Sequence, residues 1–497
     1  MKKAIIIGSG FSGLSAASFL AKEGWQVTVV EKHAIPGGRA RKLEGDGFIF
    51  DMGPSWYWMP DVFDKYFECF GKRRQDYYTL KRLDPSYRVY WPDDVMNIPA
   101  SYEALKNLFE KYEQGSGKKL DAFLKQGQYK YEIGINKLVQ KPGRSWLEFF
   151  DWELFKGILK LDVFISMKKH VGRFFKNPKL KQLLEFPVLF LGALPENTPA
   201  LYSLMNYADI KGGTWYPENG MYSIVEGMYK LAVELGVEFK FNENVVAINF
   251  SEKTATGITV QKRISKEPAS TMYEGDVVIA TADYHFVETK LIPENLRSYS
   301  EAYWKSRVMA PGCLLYYIGL NKKLANILHH SLFFDVDFVN HSEQIYVSKE
   351  WPANPLFYVS ATSVTDDKVA PEGCENLFFL IPVAAGLTGD DEQLREKYFE
   401  QILTRFEKRI GQQVKESIIY KKSFGPSDFV NEYNAFKGNA YGLANTLLQT
   451  AVLKPACRSK KVKNLFYAGQ LTVPGPGVPP SLISGEVVAG EVIKHYR

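Results

Sequence analysis

Gly8-Ser9-Gly10-Phe11-Ser12-Gly13, close behind the amino terminus, has the glycine spacing of a loop that seats a diphosphate at the start of a helix. In that arrangement Gly8 permits a tight turn, Gly10 lets the backbone approach the pyrophosphate, and Gly13 lets helix and strand pack closely. Phe11 and Ser12 open the helix, whose free N–H groups face the negative charge. Glu31, followed by Lys32, falls within the roughly 20 residues at which a carboxylate accepts hydrogen bonds from ribose hydroxyls. These residues suit NAD and FAD alike. Gly37-Gly38-Arg39 adds a glycine turn and a guanidinium that can reach a second face of the diphosphate. At the far end, Ala468-Gly469-Gln470 and the run Gly475-Pro476-Gly477-Val478-Pro479-Pro480-Ser481 make a rigid loop suited to a flat ring, with a helix dipole behind it.

The elements that must position these groups read as strand, helix, strand. Ala4–Ile7 is a buried strand, Ser12–Lys22 a helix closed by Gly24, and Val27–Glu31 a second, parallel strand. Asn464–Ala468 is another strand and Ser481–Lys494 another helix. Between these ends, Asp61–Phe70 and Tyr102–Leu191 read as mainly helical, and a helix runs from Asn219 to Leu235. Val245–Phe250 begins a strand series with a hairpin near Thr256–Gly257, followed by Val277–Ala280. Strand-like runs at Leu314–Leu320, Leu356–Ser360 and Leu377–Ile381 indicate a second sheet.

Composition excludes several classes. The formal charge of +6 is small for 497 residues and the basic residues are dispersed, so nucleic acid is not implied. Cys69, Cys313, Cys374 and Cys457 lie far apart, which disfavours a zinc site or a dithiol centre; no metal is expected. The apolar run Phe186–Leu194 contains a proline and a glycine and falls short of the roughly 18 residues of a spanning helix.

Taken together, Gly8 to Gly13 with Glu31, Gly37-Gly38-Arg39-Ala40, Gly47-Phe48 to Gly53-Pro54-Ser55, and Asn464 to Gly469 with Gly475 to Pro479 resemble the bacterial phytoene desaturase family, within the flavin amine oxidase superfamily. The similarity spans essentially the whole chain. Pro217 to Leu235 resembles the helix that this family places before its adenine-contacting strand, which assigns Val246 to the adenine. The resemblance further implies that Gly53, Pro54, Ser55, Gly469, Gln470, Val478 and Pro479 line noncovalently bound FAD. It implies a polyene substrate, formation of a new conjugated double bond, and peripheral attachment to one membrane leaflet on the cytoplasmic side. Pro480 departs from the glycine of many relatives, which bears on the flavin wall and on the carotenoid accepted.

The fold expected is α/β. Residues 1–85, 218–295 and 430–497 would form a Rossmann-type FAD-binding domain, 296–429 a mixed-sheet substrate domain, and 86–217 a helical, membrane-associating substrate region. Trp56 and Trp58, directly after the Gly-Pro-Ser turn, are the substrate candidates, with ordinary core packing an equal reading. Trp146, Phe149, Phe150, Trp152, Leu154 and Phe155, interleaved with Lys156, Lys160, Lys168 and Lys169, resemble an interfacial segment; a buried helical subdomain with a solvated lysine face is the alternative.

The chemistry expected is hydride transfer from an allylic carbon to the flavin, with oxygen or a quinone as final acceptor. Asp51 is a weak candidate base, since an Asp beside such a turn more often serves structure. A desaturase of a later carotenoid (γ-carotene or a hydroxycarotenoid), a flavin amine oxidase, and a flavin-free prenyl-lipid carrier like the GDP dissociation inhibitors stand as alternatives. Intact Glu31, Arg39 and the C-terminal glycine loop argue against the last.

Overall fold

The computed structural model describes residues 1–145, 148, 161–189, 192–263 and 270–497. The apolar run after Lys3 forms the central strand Lys3–Ile7 of a five-stranded sheet. Its neighbours are Gln26–Val30 on one side and Val277–Ala280 on the other, with Glu238–Lys240 and Leu465–Tyr467 outermost. Every pairing is parallel. Burial on both faces is what an all-parallel sheet requires, and Ala4 to Ile7 are accordingly all buried.

Register fixes where the loops emerge. Ile7 stands opposite both Val30 and Ala280, so Gly8, Glu31 and Thr281 begin their loops side by side. Chain connections leave the central strand toward opposite edges, and a crevice opens at the carboxyl ends where they part. The helix Phe11–Lys22 covers one side of this crevice and packs on the last helix, Val478–Tyr496. Their approach is close enough that a side chain on Gly485 would overlap the Ser12 carbonyl.

A three-stranded antiparallel sheet, Glu243–Ser251, Thr254–Lys262 and Ser270–Glu274, is inserted beside this domain. Its first turn lies at Glu252 and Lys253, not at the expected Thr256–Gly257; Glu252 takes the left-handed conformation there, with φ of 52°. Gly257 lies inside the strand because a side chain would strike the Tyr273 carbonyl of the neighbouring strand.

The second large sheet has seven strands in the order Ile418–Phe424, Gly312–Leu320, Glu375–Val383, Phe357–Ser360, His330–Phe333, Tyr87–Tyr90 and Val95–Ile98. The last two correct the expected boundary: residues at the start of the 86–217 region belong to this sheet, through parallel pairing of Arg88 with Ser331. Long-range pairing recruits Tyr87–Tyr90, which sits buried between layers. The rest of that region is helical where described, through Tyr102–Tyr112, Ser116–Ile133, Met167–Phe174, Pro178–Leu189 and Leu204–Ile210. Lys130, fully buried, joins two parts of it by an ion pair to Asp162 (2.9 Å) and hydrogen bonds to the Ala200 carbonyl and Ser203 hydroxyl. Among the described residues, no helix is long and apolar enough to cross a membrane.

Candidate active site

Gly8 turns the chain off the central strand with φ of 102°, and its N–H donates to the Val30 carbonyl (2.8 Å). A side chain on Gly13 would overlap the Gly8 carbonyl, so glycine at 13 is demanded by packing alone. Gly10 is different. Its φ of −72° suits any residue, and no protein atom lies within 4 Å of where a Cβ would stand. The absence of a side chain there leaves a cradle over the helix N-terminus formed by Phe11, Ser12 and Gly13.

Glu31, 5% exposed, holds the loop in shape: its carboxylate accepts from the Ser9 N–H (2.9 Å), the Ser9 hydroxyl (2.8 Å) and the His33 N–H (2.9 Å). A carboxylate has about four acceptor positions, so capacity for a ribose hydroxyl remains. Lys32 turns toward the Asn431 carbonyl (3.5 Å), and burial lowers its pKa to about 8. The ladder of the antiparallel sheet passes from Val245–Val260 to Ala247–Thr259, so Val246 sits at a bulge, outside the regular pairing.

The second glycine turn folds back on the first. Gly37 donates to the Ser9 carbonyl (2.9 Å), and a Cβ on Gly38 would stand 3.4 Å from the Gly10 Cα. Arg39 follows, half-buried; one Nη donates to the Asn439 carbonyl (3.2 Å), and the Tyr433 ring lies 5.9 Å away. Its Nε is buried without a partner among the described residues. Asp283 tempers the desolvation of Arg39 but is itself engaged by the N–H groups of Phe286 and Phe436, both at 3.1 Å.

The C-terminal loop meets these turns. Gly469 lies against the Ser12 hydroxyl and donates its N–H to Ser484 (2.9 Å). Gln470 donates to the Asn439 side chain (3.1 Å), so Asn439 links Arg39 to Gln470. Gly477 precedes the last helix without a side-chain cap; Pro479 and Pro480 carry no N–H and the Ser481 N–H donates to the Gly477 carbonyl (2.9 Å), which leaves the Val478 N–H to face a ligand. Nothing in the sequence marks Asn439, Asp283 or Thr281; each reaches the site through tertiary structure.

Asp51 has a different task. Its two oxygens accept from the N–H groups of Met221 (2.8 Å) and Tyr222 (3.1 Å), capping the helix Tyr222–Glu234, while burial raises its pKa to about 6. That engagement makes Asp51 a fold-organising residue.

Gly53 packs beneath the Arg39 carbonyl, and Pro54 and Ser55 carry the chain to Trp56. Trp56 stacks on His330, with ring centroids 4.2 Å apart and planes 11° from parallel. Tyr87, Trp58, Phe186 and Tyr358 surround it. Trp58 is tied down by its indole N–H to Thr214 (2.9 Å), which in turn donates to Asp209 (2.8 Å). Trp146, Phe149, Phe150, Trp152, Leu154, Phe155, Lys156 and Lys160 lie outside the described residues. Lys168 pairs with Glu196, and both Lys168 and Lys169 are exposed.

Residues 11–493 match the family described as flavin containing amine oxidoreductase. The chain belongs to that family. It is 38% identical over 496 residues to a carotenoid 3,4-desaturase of Haloarcula japonica, covering 98% of this chain and 97% of that protein. A zeta-carotene-forming phytoene desaturase of Myxococcus xanthus is 31% identical over 495 residues, covering 98% and 93%. The crystal structure of an oxidoreductase from Methanosarcina mazei shares the fold, with a TM-score of 0.62 at 15% identity over 98% of this chain and 100% of that one.

As a flavin-containing oxidoreductase the chain uses FAD. Its residues fit that group: the open cradle at Gly10 and the unpartnered Arg39 Nε are features that the protein alone does not explain. FAD accepts a hydride when bound. Around it, Gly10 and Arg39 would hold the diphosphate, Glu31 the ribose, and the uncapped helix at Val478 the ring carbonyl.

Proposed function

We propose that the chain is an FAD-dependent carotenoid desaturase, with phytoene as its leading substrate. One observation carries the reading: the backbone runs without interruption from Gly53, packed on Arg39, to Trp56 inside an aromatic enclosure. A polyene offers no polar group, so recognition rests on shape and apolar contact. Trp56 and its neighbours supply such a wall, and their π faces would stabilise positive charge developing on the polyene. The names of the two relatives support the class of reaction. The Haloarcula japonica protein also favours a second reading, a desaturase of a later carotenoid.

A carotenoid partitions into lipid, so the enzyme would draw it from a membrane surface, with oxygen or a quinone reoxidising the flavin. The segment from Trp146 to Lys169 is the proposed anchor. Incubating the FAD-loaded protein with phytoene in liposomes tests the function: products should absorb at longer wavelength as conjugation lengthens. A yellow, FAD-replete protein that leaves phytoene unchanged but converts a later carotenoid would select the second reading. One that reduces its flavin with amines alone would sink both. Anchoring is tested by liposome binding, which should rise with anionic lipid and fall with salt.

A further inference from the structure

Lys454 is 5% exposed, and among the described residues its ammonium has one hydrogen-bond acceptor, the Asn445 side chain at 2.6 Å. No carboxylate among the described residues lies within ion-pair distance of it. A buried ammonium without a counter-charge is expensive, so such a lysine normally has a neighbour that supplies negative charge. Burial accordingly lowers its pKa to about 7. The nitrogen is pressed against the backbone of Gly475, so closely that any side chain there would overlap it; Gly475 also has φ of 138°. Thr472 fastens the two segments by donating to the Pro455 carbonyl (2.6 Å). Lys454 is thereby fixed behind the loop that leads into the uncapped helix at Val478.

A flavin held against this loop would supply such a charge on accepting a hydride. A hydride leaving a substrate carbon carries two electrons and one proton to the ring. The neighbouring C–H bond releases its proton to solvent, and its electron pair becomes the new π bond. By charge balance, a neutral flavin that took up the hydride would carry one negative charge until its reoxidation. Charge placed near a flavin is one of the ways a protein tunes its electronics.

We propose that Lys454 is a positioning residue that complements the anionic reduced flavin, holding the Gly475–Gly477 loop against the ring and making hydride acceptance more favourable. This rests on FAD being the cofactor and not on the identity of the carotenoid. By linkage, a group that favours reduced over oxidised flavin must bind the reduced form more tightly.

The test uses the full-length protein and measures affinity for oxidised and, anaerobically, for reduced FAD in wild type, Lys454→Met and Lys454→Arg. Lys454→Met is expected to lose about tenfold more affinity for reduced than for oxidised FAD, a drop of about 30 mV in two-electron potential. Lys454→Arg, which keeps the charge, should stay near wild type. Equal losses for the two redox states in Lys454→Met would overturn the proposal and reduce Lys454 to a packing residue of the loop. Because both affinities are measured, weakened flavin binding does not obscure the answer, and wild type binding no FAD at all would indict the cofactor assignment instead.

Discussion

A side chain on Gly13 would overlap the Gly8 carbonyl, and this contact presses the first helix onto the end of the central strand. A Cβ on Gly10, between them, would meet no atom beyond its own chain neighbours. The two glycines should therefore fail differently. Gly13→Ala is expected to destabilise the fold by about 1 to 3 kcal/mol, as overpacking does. Gly10→Ala should leave the flavin-free melting temperature almost unchanged while weakening FAD binding, and Gly10→Val should abolish it. Thermal unfolding with and without FAD distinguishes the two; equal loss of apo stability would mean that the cradle at Gly10 is ordinary packing.

Arg39 is half-buried, with its Nε buried and unpartnered among the described residues, which leaves that donor free for the diphosphate. Arg39→Ala should weaken FAD by roughly tenfold or more, corresponding to about 1.5 to 3 kcal/mol for a charge-assisted hydrogen bond. Flavin titration reads this directly. An unchanged dissociation constant would leave Arg39 with its Asn439 contact only.

The ion pair between Lys130 and Asp162 is a separate matter of stability. Asp162 has φ of 51°, a conformation that asparagine also tolerates, so Asp162→Asn removes the charge and keeps the turn. It leaves Lys130 buried and unpaired, at an expected cost of about 3 kcal/mol. Lys130→Met combined with Asp162→Asn should be milder than Asp162→Asn alone. Denaturant melts of the two variants check the order.

His341 accepts from the Leu356 N–H (2.9 Å) and donates from Nε2 to the Pro382 carbonyl (3.1 Å), an arrangement that needs the neutral ring. Burial lowers its pKa to about 4 from an ordinary 6.5. The unfolded chain therefore binds the proton first as pH falls, so stability is full above about 6.5 and is lost as pH drops toward 4, by about 3 kcal/mol. Replacing His341 with Gln should lower stability at neutral pH and flatten the decline across that window. A pH series of urea midpoints would show an undiminished slope if the ring carries no such linkage.

How much of this was legible in the sequence follows from the range of each signal. The strand, glycine loop and helix from Lys3 to Lys22 depend on neighbours within a few residues, and the structure places them where periodicity and glycine spacing do. Tyr87–Tyr90 and Val95–Ile98 fall inside the region 86–217 expected to be helical; they pair with each other locally, but what fixes them as strands is the pairing of Tyr87–Tyr90 with His330–Phe333, some 240 residues on. The turn expected at Thr256–Gly257 failed for a related reason, since that glycine answers to the adjacent strand. Asn439 bonds Arg39 through its main-chain carbonyl and Gln470 through its side chain, a role that no local pattern encodes.

The place of Leu465–Tyr467 beside Val277–Ala280 and that of Gly485 on Ser12 also bear on when the crevice can close during synthesis. The Gly8–Gly13 loop is translated well before the strand and helix that close its crevice. A nascent chain that has not reached Leu465 thus carries an open half-site. Truncation near the carboxyl terminus would strand the chain in that half-built condition, however sound its opening residues.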